Sequence, residues 1–235
     1  MSSSSASSQI LQWLQLAESH LLLDQLKTAE KYLRKASQED PTHLRVLMGL
    51  ARLCCKRGQL REAMQKLEYA LKVDPRYPPA LLLLGQLCLS RHEPARALSL
   101  LEKARELEPD DPDILQSLID AYLLMKHPDK ARLWADSLCQ RFADRPESWE
   151  SLRKVAMAQG DILTYAAATN RLTELEPGRE AEALSAEEVD RQWTALEQVH
   201  AKTSTRNLTQ RWAGLSEAEL DHQFARIQET YGQDL

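Results

Sequence analysis

Apolar residues along this chain recur at helical spacing, and the helical pattern itself repeats. Pro41, Pro75, Pro109 and Pro177 fall 34, 34 and twice 34 residues apart, with Ala143 in the vacant slot. Units starting at Ile10, Leu44, Pro78, Pro112 and Pro146 therefore align without insertion or deletion. Their fourth residue is Trp13, Leu47, Leu81, Leu115 or Trp149, and their seventh is Leu16, Leu50, Leu84, Leu118 or Leu152. Position 8 is small in the first three units (Ala17, Ala51, Gly85) and then becomes Ile119 and Arg153. Position 20 is Ala29, Ala63, Ala97 and Ala131 until Tyr165 breaks the rule, while position 24 runs through Leu33, Leu67, Leu101, Ala135 and Thr169. Position 27 is Ala36, Ala70, Ala104, Leu138 and Leu172.

At 100° per residue, positions 4, 7, 8 and 11 share one face, which predicts an amphipathic helix in the first half of every unit. Positions 20, 24 and 27 predict a second. Small residues at 8 and 20 let the two backbones approach, and the larger ones at 4, 7 and 24 fill the space beside them. Asp24, Gly58, His92, Lys126 and Gly160, all at position 15, mark the turn between helices. Pro94 and Pro128 at position 17, and Pro78, Pro112 and Pro146 at position 1, suit a first helical turn, where the missing N–H costs nothing. Each unit is a helical hairpin that must stack on its neighbours to bury its apolar face.

The pattern resembles the tetratricopeptide repeat family, W-x2-L-G-x2-Y followed by A-x3-F, then A and P. The third unit carries Leu81-x2-Leu84-Gly85-x2-Cys88, Ala97-x3-Leu101, Ala104 and Pro109; the first has Trp13-x2-Leu16-Ala17-x2-His20, Ala29-x3-Leu33, Ala36 and Pro41. The resemblance implies an all-α, right-handed solenoid of about five hairpins, at 10–43, 44–77, 78–111, 112–145 and 146–179. A serine-rich leader, 1–9, is expected to be disordered. The fifth unit departs from the pattern at positions 8, 20 and 24.

Residues 180–235 leave the period. Leu184-Ser185-x2-Glu188 is echoed by Leu215-Ser216-x2-Glu219, 31 residues later, and both read as capping boxes opening amphipathic helices. These helices are expected to form a C-terminal cap or extension. Two roles stay open: covering the last repeat, or docking in the chain's own groove, on a partner or on a second copy as a homo-oligomer.

Composition agrees with helix: 43% of residues are apolar, only 7 are glycine and 10 proline, and aromatics make up 6%. A formal charge of −5 provides no basic field for nucleic acid. No apolar run exceeds the five residues of Ala80 to Leu84, far short of a membrane span. The leader lacks the basic start and apolar run of a secretory signal, so a cytoplasmic location is expected. Cys54, Cys55, Cys88 and Cys139 sit inside helical patterns and read as reduced core residues. Adjacent Cys54 and Cys55 point about 100° apart and do not converge on a metal. His20, at position 11, reads as a packing residue. No catalytic motif is present, and no enzyme activity, cofactor or metal is expected.

By the resemblance, the first helices line a concave groove. Positions 2, 5, 9 and 12–13 place Leu14, Glu18 and Leu21 there, with Arg45, Met48, Arg52, Cys55 and Lys56 from the second unit. Leu82, Gln86 and Leu89 follow from the third, and Gln116 and Asp120 from the fourth. A ladder of Leu and Met rimmed by three basic residues reads as an exposed binding strip for an amphipathic helix or extended peptide. Relatives that hold the acidic tails of heat-shock chaperones use Lys and Asn at positions 5 and 9. Here those places hold Leu14 and Glu18, or Met48 and Arg52, so that clamp is absent. The expected function is a protein-binding adaptor or assembly chaperone. The alternatives are the targeting subunit of a catalytic complex and a structural module that self-assembles through its C-terminal helices.

Overall fold

The computed structural model describes residues 3–176, which form ten helices and no strand. They are α1 (Ser3–Leu22), α2 (Leu26–Glu39), α3 (Leu44–Lys56), α4 (Leu60–Val73), α5 (Pro78–Ser90), α6 (Pro94–Leu107), α7 (Pro112–Leu124), α8 (Pro128–Arg141), α9 (Pro146–Gln159) and α10 (Ile162–Leu175). Odd and even helices pair as hairpins, and each even helix packs on the odd helix that follows it. This is an all-α helical-hairpin solenoid. The cap or extension expected over 180–235 lies outside the described residues.

Both turns are built the same way each time. Asp24, Gly58, His92, Lys126 and Gly160 are all left-handed, with φ between 57° and 74°. The next residue donates its N–H to the carbonyl five residues back, as Gln25 does to His20 (2.8 Å) and Asp161 to Ala156 (2.9 Å), which satisfies carbonyls a helix end would orphan. Between hairpins, Pro41, Pro75 and Pro109 follow the C-cap residue, and a bond such as Tyr77 N–H to Asp74 O (3.4 Å) closes a tight turn. Proline's fixed φ suits the second place in such a turn. Asp74 also accepts the Arg76 N–H at 2.9 Å, and Asp111 caps α7 by accepting from Asp113 and Ile114 at 2.8 and 3.1 Å.

Packing explains the small residues. Ala29, Ala63, Ala97 and Ala131 are fully buried, as are Leu33, Leu67 and Leu101 above them. A β-carbon on Gly85 would meet Leu101 Cγ and Cδ2 at 2.9 Å, so the close approach needs glycine's missing side chain. Positions 3 and 10 also turn inward, onto the preceding hairpin: Val46, Ala80, Ile114 and Ser148, and Leu53, Leu87, Ala121 and Val155, are all buried. In the first unit, before which no hairpin lies among the described residues, the same places hold exposed Gln12 and Ser19.

Three expectations change. Helix α1 runs back to Ser3, so the leader expected to be disordered is helical there; it holds no proline or glycine to stop a helix growing outward from Ile10. Leu16, expected in the core, is 43% exposed because it faces the side where other units meet a preceding hairpin. In the fifth hairpin, Tyr165 cannot let helices approach as alanine does. Ala168 is the fully buried small residue instead, and the Arg153 guanidinium lies 5.8 Å from the Tyr165 ring, so positions 8 and 20 meet by stacking.

Candidate functional site

The first helices α1, α3, α5, α7 and α9 carry the residues expected to line a groove. Among them α1 touches α3, α5 touches α7 and α7 touches α9, whereas direct contact between α3 and α5 is weaker. A cavity of about 110 Å³ opens beside α3. Its floor is apolar: Leu14, Ala17 and Leu21 from α1, Leu33 from α2, and Met48 and Gly49 from α3. Its rim is polar, formed by Glu18, Arg45, Arg52 and Tyr77, with Pro79 at the start of α5.

The rim charges are not equivalent. Arg45 Nη2 donates to both Glu18 carboxylate oxygens, at 3.2 and 3.5 Å, so its charge is matched across the two helices. Lys56, further along α3, pairs with Asp24 at 3.1 Å. Arg52 has no hydrogen-bond or ion-pair partner among the described residues. The Tyr77 hydroxyl likewise makes no hydrogen bond among them. Burial pushes the Tyr77 phenol above its ordinary pKa, with Arg45 and Arg52 pulling the other way, so it stays protonated and able to donate.

The structure thus brings together Leu14, Glu18, Leu21, Arg45, Met48 and Arg52, with one correction. Leu14, Leu21 and Met48 were expected to be exposed, yet they are 1%, 5% and 5% exposed. Leu14 and Leu21 pack with Ile10 and Ala17 against α2 and α3, and Met48 joins the core of the second and third hairpins, so these residues become a pocket floor. Cys55, Leu82 and Leu89 are half-buried against the middle core, short of the exposed strip expected of them. Gln86 is exposed and donates to Ser117 Oγ at 3.2 Å. Gln116 and Asp120 lie on α7, away from the cavity. Burial raises the Asp120 carboxyl above the usual carboxylate range, partly offset by Lys154 at 4.0 Å.

Tyr77 carries no groove signal in the repeat pattern. It occupies the last position of its unit, immediately before α5, and that junction between one first helix and the preceding hairpin is where the sequence could have been searched.

The remaining candidates for chemistry are structural. His20 stacks on Tyr32 with ring centroids 5.7 Å apart, and its Nδ1–H donates to Gln25 Oε1 at 2.7 Å. All four cysteines are free, and burial raises each thiol, Cys139 up to about 12. Raised thiols are poor nucleophiles and poor metal ligands. Among the described residues no three His, Cys, Asp or Glu side chains gather as metal ligands, and no helix is long and apolar enough to cross a membrane.

Stacked hairpins with a pocketed face define a repeat protein of the interaction-module class. Two family models, both described as tetratricopeptide repeat, match residues 20–65 with 89–155 and residues 55–112. Their combined span is unbroken from 20 to 155, and the chain belongs to the tetratricopeptide repeat family. A sequence comparison with curated proteins returns no match. Among solved structures, Pseudomonas aeruginosa PilF is similar at a TM-score of 0.70 and 18% identity, covering 94% of this chain and 99% of PilF. MamA from Desulfovibrio magneticus RS-1, solved from residue 41 to its end, is similar at 0.63 and 17%, covering 74% of this chain and 98% of that one. YrrB, described as a TPR protein with an unusual peptide-binding site, is similar at 0.56 and 15%, covering 71% and 86%. At these identities the likeness concerns the fold.

Proposed function

We propose that this chain is a non-enzymatic adaptor or assembly chaperone that captures a segment of another protein on the face formed by its first helices. The supporting observation is the cavity beside α3, where an apolar floor meets a polar rim holding an unpartnered cation. A pocket with a few convergent polar groups is the usual form of a recognition site. The hairpins around it are tightly packed, so a partner segment gives up its own freedom on binding while the groove gives up little.

The second helices offer a rival in Leu133, which is 71% exposed on α8. A photo-crosslinking side chain placed at Gln86 on the groove face, and separately at Leu133, distinguishes the two in cell extract. Partner crosslinks are expected from position 86 and lost on adding Leu82→Glu with Arg52→Glu, with helicity by circular dichroism unchanged. Crosslinks confined to position 133, or surviving the double substitution, would remove the groove assignment.

A further inference from the structure

The cavity beside α3 specifies more than a surface for some protein. Four of its features converge. The floor is hydrocarbon, from Leu14, Leu21 and Met48 among others. Its volume is about 110 Å³, room for an aliphatic side chain of Val, Leu, Ile or Met size. On its rim stand two donors without partners among the described residues, the Arg52 guanidinium and the Tyr77 hydroxyl. The one acidic group on that rim, Glu18, is already engaged by Arg45.

A guanidinium and a phenol on the rim of one cavity suit a carboxylate, because each can donate to one of its two oxygens and the guanidinium matches its charge. The apolar residues of this face also continue to either side. Leu22 is 86% exposed on α1, and Leu82 and Leu89 are half-buried on α5. A segment crossing the cavity therefore has somewhere to go in both directions, which favours a residue inside a chain over a chain end. In an extended segment, residues i and i+2 face the same way. Crossing from α1 over α3 to α5 spans two helix widths of about 10–12 Å, which is roughly six to seven extended residues.

We infer that the cavity beside α3 recognises an internal acid-x-aliphatic element of an extended partner segment, its Asp or Glu held by Arg52 and Tyr77 and its aliphatic side chain seated on Leu14, Leu21 and Met48. This rests on the groove reading above and deepens it. The site differs from the family's chaperone-tail clamp, whose residue types are absent here.

The test uses the full chain with a random library of peptides about nine residues long, acetylated and amidated so that no terminal carboxylate remains. Selected peptides should be enriched in Asp or Glu two places from Leu, Ile, Val or Met. Replacing the acid by Asn or Gln should weaken binding about tenfold by fluorescence anisotropy, as loss of a charge-assisted bond does. Arg52→Gln should abolish the acid preference, Arg52→Glu should shift selection toward Lys or Arg, and Tyr77→Phe should weaken acidic peptides about two- to tenfold. Arg52 is exposed and unpaired, so these variants should keep their helicity and melting temperature.

Acid preference that is absent in the wild type, or that survives Arg52→Gln, overturns the inference. If peptides without acid preference are selected and Leu82→Glu blocks them, the inference fails while the groove reading stands. If no peptide is selected, or if none is sensitive to Leu82→Glu, both fail.

Discussion

Hairpins two and five hold the same places in the repeat yet solve two problems differently. In the second, Ala51 and Ala63 are fully buried, so hydrocarbon packing alone brings α3 onto α4. In the fifth, Arg153 and Tyr165 stand at those positions and stack, and Arg153 also pairs with Glu150 at 2.9 Å. The groove face follows suit. At position 9, Arg52 of the second hairpin is unpartnered, whereas Lys154 of the fifth sits 4.0 Å from Asp120. In the second hairpin alanine carries the crossing and one basic side chain, Arg52, stays unmatched among the described residues; in the fifth an arginine carries the crossing and the lysine at position 9 is matched.

The largest test of that contrast is overpacking. Ala63→Leu should cost about 1–3 kcal/mol, because a fully buried small position has no room for three more carbons. Tyr165→Leu, at the equivalent but half-buried position, should cost less, and equal losses in melting temperature would erase the distinction between the hairpins.

Next comes the turn, where the two hairpins agree. Gly58 and Gly160 both have φ near 70°, and nothing lies within 4 Å of a β-carbon built on Gly58. Gly58→Ala should therefore lose about 1 kcal/mol through backbone strain alone. Conversely, Lys126→Gly should raise stability by up to about 1 kcal/mol, since lysine holds the left-handed conformation there at φ 60°. Chemical denaturation that moved neither midpoint would remove the strain account.

Smaller still, Arg153→Gln should cost about 0.5–1 kcal/mol by removing the cation over the Tyr165 ring, while Arg52→Gln should lie within about 0.5 kcal/mol of wild type. The least effect belongs to Asp120. Its folded pKa lies above its unfolded value, so the half-buried carboxylate weakens the fold slightly at neutral pH, and that handicap fades as pH falls through the carboxylate range. Asp120→Asn should thus melt at or above the wild type at pH 7, with the difference vanishing below about pH 4. A variant that is less stable at pH 7 would mean that Lys154 outweighs burial.

How legible was this? The period of 34 marked the left-handed position at all five turns, three of them without glycine. It located alanine at every tight crossing but the last. It averaged over neighbours, however, and neighbours differ at an array's end. Hence Leu16 faces out while Leu14 and Leu21 turn in. Arg45 and Arg52 look alike in sequence, but one lies opposite Glu18, 27 residues earlier, and the other does not. Tyr77 fell outside the groove positions altogether.

By itself the sequence determined the helices, their turns and the hairpin stack, because these depend on spacing and side-chain size that repeat along the chain. Only the tertiary structure decided which leucines became a pocket floor, which basic side chain stayed unmatched and that a tyrosine stands beside it. Those outcomes depend on side chains from different hairpins meeting in space, and a one-dimensional pattern holds no record of which charge finds a partner across a helix boundary.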